Sequence, residues 1–447
     1  MFVARNDELT VLNNLLKKAI SSLAIFRGRH HIGKSSNWLL VIAFLLAAIL
    51  LVKMVIFANN FGGIEQDSGW YLGISKNLAF RGIYATFVNT EKTDASGVGK
   101  IENNLHQKPH IHDEYGYNHF YSGTIGPGFI IPQAIVYKFF GYHWWTHRIY
   151  SQAAMFGLLW ISFYILLKWG GVCALASFFF IIWSVPTFTI GFSFESFSEA
   201  LATLYMLISI VLLVYAMKTG MKSRSQFQFQ FRSQSLLLFF SGFFVGLAYL
   251  TKTITLLLLI SYFILYGFIF CYSFYYGFCY SFGCEYNPPF NKHLLQAVKR
   301  TIQKLLMIVL GTLLPIVCFE LYRFIYIFTK FGLEAYYANN LAAKLTMQRD
   351  GSGISDFHFS WDFFYRKLIF WQDLGITSPI FLWVVFFLTL FLALRILWFQ
   401  KEKHKCAFIS IILVFIVLNL VWFLIVSPTG WFRHVWYTAY LGLFIFS

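Results

Sequence analysis

Runs of about twenty apolar residues recur from residue 38 to the last residue, and no other feature restricts the fold as strongly. Coiled as a helix, each run crosses roughly 30 Å of hydrocarbon, the thickness of a bilayer core. The 447-residue chain is 58% hydrophobic and only 12% charged, with mean hydropathy +0.63. A single water-soluble core of this size cannot enclose so much apolar surface. Lipid is therefore the solvent, and in lipid a spanning helix satisfies its own backbone polar groups. The pattern predicts an all-α, polytopic integral membrane protein with roughly 9–11 hydrophobic helices and two long external loops.

The formal charge of +16 is compatible with nucleic-acid binding only if the basic residues form one surface. They do not. They fall in four clusters between apolar runs, Lys17 to Lys34, Lys218 to Arg232, Lys292 to Lys304 and Arg395 to Lys405, as expected for cytoplasmic loops. No nucleic-acid partner is expected. The six cysteines lie in or beside aromatic and aliphatic runs without a CxxC pair, and read as inert apolar residues.

Orientation follows from these clusters. Residues 1–37 form a basic cytoplasmic tail and 38–447 a transmembrane domain, with residues 59–123 and 329–375 as external loops. Basic clusters flank the paired runs 236–250 and 253–272, so their tip, Thr251-Lys252-Thr253, faces outside. Four apolar runs lie between Gly123 and Lys218, yet crossing inward takes an odd number. The first carries Gly126, Pro127, Gly128 and Pro132 and is predicted to be re-entrant or in-plane, with Lys168 inside and Arg148 outside. The segment from Phe227 to Ser235 reads as a cytoplasmic linker. The last run holds about a dozen residues, short of a full span, and points to a truncated C-terminus.

Directly after the first span stands Glu65-Gln66-Asp67-Ser68-Gly69-Trp70-Tyr71-Leu72, then Asn77-Leu78 and Gly82. An acid at an outer helix end beside Trp, Tyr and Leu holds its carboxylate at headgroup depth, where a lipid phosphate reacts. By spacing alone, Asp67 also serves simply as the cap of a helix from Ser68 to Phe80. Asp67-Ser68, Tyr71-Leu72, Asn77-Leu78 and Gly82 resemble the first-loop signature of the GT-C glycosyltransferases, the superfamily of protein O-mannosyltransferases and lipid A aminoarabinose transferases. Gly126-Pro127-Gly128 through Gly141, with Arg148 beyond, resembles that superfamily's Pro-rich second element. Glu195 to Glu199 resembles a short acidic stretch opening a later helix. Gly246-Leu-Ala-Tyr-Leu-Thr-Lys252 is similar to its Gly-Leu-Ala-x-Leu-Thr-Lys, and Ser427 to His434, with Arg433, to a late external turn. Ser68 stands where many members carry a second acid, which argues against a two-carboxylate mechanism at this dipeptide.

The resemblance implies an enzyme that takes a hexose or pentose from a polyprenyl-phosphate carrier. The acceptor is a hydroxyl of a glycolipid, glycan or protein. Asp67 is then the catalytic base, Lys252, Arg433 and Arg148 bind the donor phosphate, and Tyr71, Glu195 and Glu199 line the substrate site. Lys and Arg in a partly dry cleft stabilise the charge that gathers on a departing phosphate. The expected setting is a bacterial inner (plasma) membrane, with the active site facing outside. An internal eukaryotic membrane stays open, since no targeting segment decides it.

Two other clusters compete for attention. His110, His112 and Asp113, with Glu114 and His119 nearby, offer ligands for a divalent metal, but their spacing fits no firm template and a solvated loop explains them as well. No other cofactor is expected. Gly28-Arg-His-His-Ile-Gly33-Lys34-Ser35 matches a phosphate-cradling loop, and residues 2–35 resemble the start of an AAA-type ATPase. Such a loop needs a parallel sheet and a downstream acid for magnesium, whereas these residues lead straight into the membrane. A nucleotide site at Gly33, Lys34 and Ser35 is accordingly set aside. The rival functions are a secondary transporter, which needs ionisable residues deep in several spans, and a lipid-linked glycan polymerase or flippase. Single-cysteine labelling in oriented vesicles should place positions 67 and 252 on one side of the membrane and 168 and 218 on the other.

Overall fold

The computed structural model describes residues 34–60, 66–87, 111–112, 117–120, 126–184, 198–219, 227–283, 290–350, 361, 379–400, 402–427 and 434–446. Thirteen α-helices run through these described residues: α1 Lys34–Asn60, α2 Gln66–Arg81, α3 Pro127–Phe140, α4 Trp144–Ile165, α5 Gly171–Ser184, α6 Glu199–Thr219, α7 Phe227–Thr251, α8 Leu257–Gly283, α9 Phe290–Phe331, α10 Leu333–Asp350, α11 Pro379–Phe399, α12 Lys403–Val421 and α13 Trp436–Phe446. Among the described residues, seven stretches are long and apolar enough to cross a membrane, and Phe387–Trp398 and Trp436–Ile445 are shorter apolar helices. The fold is that of an all-α polytopic membrane protein.

One of the seven stretches, Trp145–Trp183, is two helices. Leu166–Gly170 forms a π-helical turn, and Gly171 then takes φ +86°, which a side chain would strain. The chain doubles back there. Phe163 and Phe179 lie with ring centroids 6.0 Å apart, where an unbroken helix would separate them by roughly 24 Å.

The hairpin gives the bundle two distinguishable ends. At one, Lys168 donates to Tyr164 Oη at 2.6 Å and to Tyr215 Oη, while Trp169 packs on His404 and Phe408. Tyr215 and Lys218 close α6 and His404 opens α12, so the Lys168, Lys218 and Arg395-to-Lys405 regions meet here, as the charge pattern predicts. Beside them Glu402 holds its carboxyl below the usual range, chiefly through hydrogen bonding to Lys405 at 3.0 Å. At the opposite end lie Glu199, opening α6, and Lys252, following α7.

Helix α3 has only 14 residues and is not among the stretches long and apolar enough to cross a membrane. Its start touches the end of α7, and α4 leaves from the same end: Tyr150 donates to Phe129 O at 3.0 Å, while Tyr164, four turns on, reaches Tyr215. The length of α3 agrees with the expected non-spanning element. Other expectations are corrected. Phe227 to Ser235 is the opening of α7, where Gln234 Nε2 donates to Ala216 O at 2.9 Å. The first long loop contains α2, in line with the helix read from Ser68 to Phe80, and a small antiparallel sheet not read from the sequence, of β1 Ala85–Phe87, β2 Ile111–His112 and β3 Tyr117–His119, in the order β1-β3-β2. Cys173, Cys271, Cys318 and Cys406 are free thiols, consistent with an inert role.

Helices α7 and α9 approach closely along Gly242-x-x-x-Gly246, a small-residue pattern that lets backbones meet in membranes. An added Cβ would fall 1.9 Å from Ile308 O at Gly242, 2.4 Å from Thr312 O at Gly246 and 2.0 Å from Phe239 O at Gly311. Thr312 also donates to Gly242 O at 3.1 Å across the seam. Gly246→Leu should force the helices apart and cost about 3 kcal/mol or more, read as a clear drop in thermal midpoint in detergent.

Candidate functional site

The Leu-Thr-Lys sequence ends a helix in a way its threonines explain. Lys252 N still bonds Ala248 O at 2.8 Å, but Lys252 then turns extended at φ −151° and ψ 120°. Thr251 Oγ1 returns to Leu247 O at 2.7 Å, and Thr255 Oγ1 donates to Lys252 O at 2.8 Å, opening the 3₁₀ turn Thr253–Leu256. Lys252 O also accepts Thr255 N–H at 3.1 Å, so the threonine hydroxyls add second bonds that brace the break. The lysine is left projecting from a rigid corner.

Its ammonium meets Glu199 Oε1 at 3.2 Å, off the line of a hydrogen bond. The two differ in exposure: the Lys252 side chain is 21% exposed and that of Glu199 only 1%. Glu199 Oε2 accepts no hydrogen bond among the described residues. Both charges suit their helix ends, the carboxylate in the first turn of α6 and the cation just beyond the last turn of α7.

Gly126 and Gly128 explain their own identity at this corner. A Cβ at Gly126 would stand 2.3 Å from Thr251 O, and one at Gly128 would stand 2.4 Å from Thr251 Oγ1 and 2.8 Å from Leu247 O. The Gly-Pro-Gly and Leu-Thr-Lys motifs are thus two halves of one contact. Tyr71 enters it from α2: its hydroxyl is 3.3 Å from Ser198 Oγ, next to Glu199, and its ring packs edge-on against Phe129 at 5.3 Å. Ser75 ties α2 to α3 through Gln133 Oε1 at 2.7 Å.

Asp67 occupies the first turn of α2, which begins at Gln66 rather than Ser68, so Asp67 lies within the helix instead of capping it. It stands four residues before Tyr71, one helical turn. Arg148 is buried in the first turns of α4, two residues before Tyr150, at the same end of the bundle. Glu195 and Arg433 lie outside the described residues. The neighbour of Arg433, His434, is anchored at this end: Asn419 Nδ2 donates to His434 O at 3.3 Å and Thr438 Oγ1 to Asn419 Oδ1 at 2.7 Å.

Beneath the site lies an aromatic cluster that sequence reasoning missed. Tyr71, Tyr84, Phe120, Phe129 and Phe319 join α2, the sheet, α3 and α9. Burial, with the neighbouring Tyr71 and Tyr322 phenols, pushes the Tyr84 phenol well above its ordinary range, so it stays neutral. His119 Nδ1 bonds Tyr326 Oη at 3.0 Å, and Asn339 Nδ2 donates to Phe120 O at 3.1 Å, clamping the sheet to α9 and α10. Arg323 pairs with Glu320 at 2.7 Å as helix spacing predicts, yet it also reaches Asn339 and Asn340. The asparagines come from another helix.

The metal expectation loses a member here, because His119 is buried against Tyr326 and Phe331. His112 sits in β2, His110 and Asp113 lie outside the described residues, and no group of three or more His, Cys, Asp or Glu assembles among the described residues. Gly33 also lies outside them. Lys34 and Ser35 open α1, which continues into the span Trp38–Ile56, and the strands described are antiparallel, so the parallel-sheet seat of a phosphate loop is not formed by these residues.

No protein-family model matches the chain, and no curated protein matches it in sequence. Solved structures do match. A crystal structure of ArnT from Cupriavidus metallidurans bound to undecaprenyl phosphate superposes with a TM-score of 0.52 at 12% identity, over 90% of this chain and 59% of that one. This chain has the GT-C fold. The archaeal oligosaccharyltransferase AglB from Archaeoglobus fulgidus, in complex with an inhibitory peptide and a dolichol-phosphate, matches at TM-score 0.48 and 12% identity, over 91% of this chain and 49% of that one. The chain thus spans about three fifths of the ArnT length and half that of AglB.

Within this GT-C fold, the Glu199–Lys252 contact carries a stability signature. Removing one partner of a buried pair strands the other. Lys252→Met should destabilise the protein by less than the roughly 3–5 kcal/mol of a fully buried pair, because the lysine is partly exposed. Adding Glu199→Gln should recover part of that loss, as read by thermal unfolding of the single and double variants.

Proposed function

We propose that this protein is a membrane glycosyltransferase that moves a sugar from a polyprenyl-phosphate carrier to an acceptor hydroxyl. The observation that carries the reading is Lys252: a partly exposed ammonium fixed at a helix break, on the end of the bundle where α2, α3 and α6 converge. ArnT, whose fold this chain shares, was crystallised with undecaprenyl phosphate, a ligand of the same chemistry. Seven apolar stretches keep such a lipid within reach of the site.

The carrier phosphate sits against Lys252, with Arg148 and Arg433 completing the cationic side. Asp67 takes the proton of the acceptor hydroxyl as that oxygen attacks the anomeric carbon. The bond from that carbon to the phosphate oxygen breaks, both its electrons leave with the phosphate, and direct displacement inverts the anomeric centre. General-base catalysis of this kind contributes a factor of about 10²–10⁴. Cations held in place in a partly dry cleft stabilise the growing phosphate charge without reorganising at the moment of reaction. Tyr71, Glu195 and Glu199 line the site.

The Lys168, Lys218 and Arg395-to-Lys405 regions that meet at one end support a cytoplasmic reading of that end, and the transfer is accordingly proposed for the external face. The proposed setting is a bacterial inner membrane, with an envelope glycolipid, glycan or glycoprotein as acceptor and a hexose or pentose as the sugar. Deleting the gene should remove one sugar from such an acceptor, as seen by mass spectrometry of the envelope. Asp67→Asn should express at the wild-type level, yet transfer at least about a hundredfold more slowly in the complemented strain. Wild-type modification by Asp67→Asn, or transport of a solute that survives the change, sinks this reading.

A further inference from the structure

Glu199 is poorly placed for a residue whose only task is to hold a lysine. Its side chain is 1% exposed, its Oε1 lies 3.2 Å from the ammonium but off a hydrogen-bond line, and its Oε2 has no hydrogen-bond partner among the described residues. Ser198 Oγ, next in the chain, is turned toward Tyr71 Oη at 3.3 Å, and Thr203 Oγ1 bonds the Glu199 backbone carbonyl at 2.9 Å rather than the carboxylate. A buried carboxylate so incompletely satisfied carries a free-energy cost that a glutamine or an alanine would avoid. Its negative charge reaches anything that binds on the exposed side of Lys252.

Transfer changes the charge on that side. The donor is a phosphodiester with one negative charge; once its bond to the sugar breaks, the spent carrier is a phosphomonoester with about −1.5 to −2 at neutral pH. Lys252 is needed to stabilise that growing charge, and by itself it would then hold the product tightly. We propose that Glu199 is a carrier-release residue: a buried carboxylate behind Lys252 that opposes the second negative charge of the spent polyprenyl phosphate, so that the site keeps the diester and lets the monoester go. This rests on the transferase reading above. Glu199 touches no reacting atom and acts through Lys252. A full extra charge about 6 Å from a carboxylate, in a setting of intermediate dielectric, weakens binding by about tenfold or more.

The test uses the full-length protein in detergent with two probes of equal chain length, undecaprenyl phosphate and its methyl phosphodiester, which differ by one ionisable oxygen. In the wild type the two should bind within about threefold of each other. Glu199→Gln should tighten the monoester about tenfold and the diester much less, and in sugar transfer it should lower both KM and kcat, with product inhibition appearing at lower carrier concentration. Glu199→Asp, which keeps the charge, should restore the wild-type ratio. A merely structural role predicts the opposite sign, weaker binding of both lipids. Unchanged or weaker monoester binding by Glu199→Gln overturns the proposal. So does a wild-type preference for the monoester above about tenfold, a measurement that needs no variant to fold. If the wild type binds neither lipid, the transferase reading falls and this one with it; if both bind and transfer proceeds with an unaltered ratio in Glu199→Gln, only the role of Glu199 falls.

Discussion

Everything at the candidate site depends on how α7 stops. Thr251 Oγ1 and Thr255 Oγ1 bond backbone carbonyls on either side of the break, and Thr255 N–H bonds Lys252 O as well. Lys252 is thereby held in extended geometry between a helix end and a 3₁₀ turn, with four flexible side-chain bonds starting from a fixed point. The same break brings the cation next to the first turn of α6, whose glutamate it meets.

Close backbone approach does the rest of the positioning. Lipid offers little hydrophobic drive between helices, so the bundle relies on surfaces that fit. The glycines of α7 let α9 press against it, and the Gly-Pro-Gly entry to α3 presses on its final turn. Helix α2 follows through the Ser75–Gln133 and Tyr71–Ser198 contacts, which bring the turn containing Asp67 to the same corner. The aromatic cluster and the Asn339 and His119 bonds fix the small sheet that carries the chain out of α2.

Much of this was legible beforehand because membranes impose strong one-dimensional rules. Length of apolar runs marked the spans, and lysine and arginine between them marked a shared end, where Lys168, Tyr215 and His404 now lie together. An odd number of crossings required one run not to span, and α3, with 14 residues, is short enough to be that run. Where the rules weaken, so did the reading. The small sheet of the first long loop went unread because strands of two or three residues carry no period to detect. His119 looked like part of a metal cluster because its aromatic partners, Tyr326 and Phe331, lie about two hundred residues away in the chain. Phe227 to Ser235 looked like a linker because its composition is polar, yet it opens α7.

By itself the sequence determined that the chain lives in lipid as a helical bundle, which of its segments share an end, and which short motifs resemble a GT-C site. Those properties follow from hydropathy, charge and local spacing, each of which acts over a few residues or a single span. Only the tertiary structure decided that Gly-Pro-Gly rests on Leu-Thr-Lys, that Lys252 faces Glu199, and that the carboxylate is the buried member of the pair. Burial and close approach depend on helices far apart in the chain meeting at fixed distances, and no local pattern encodes a distance.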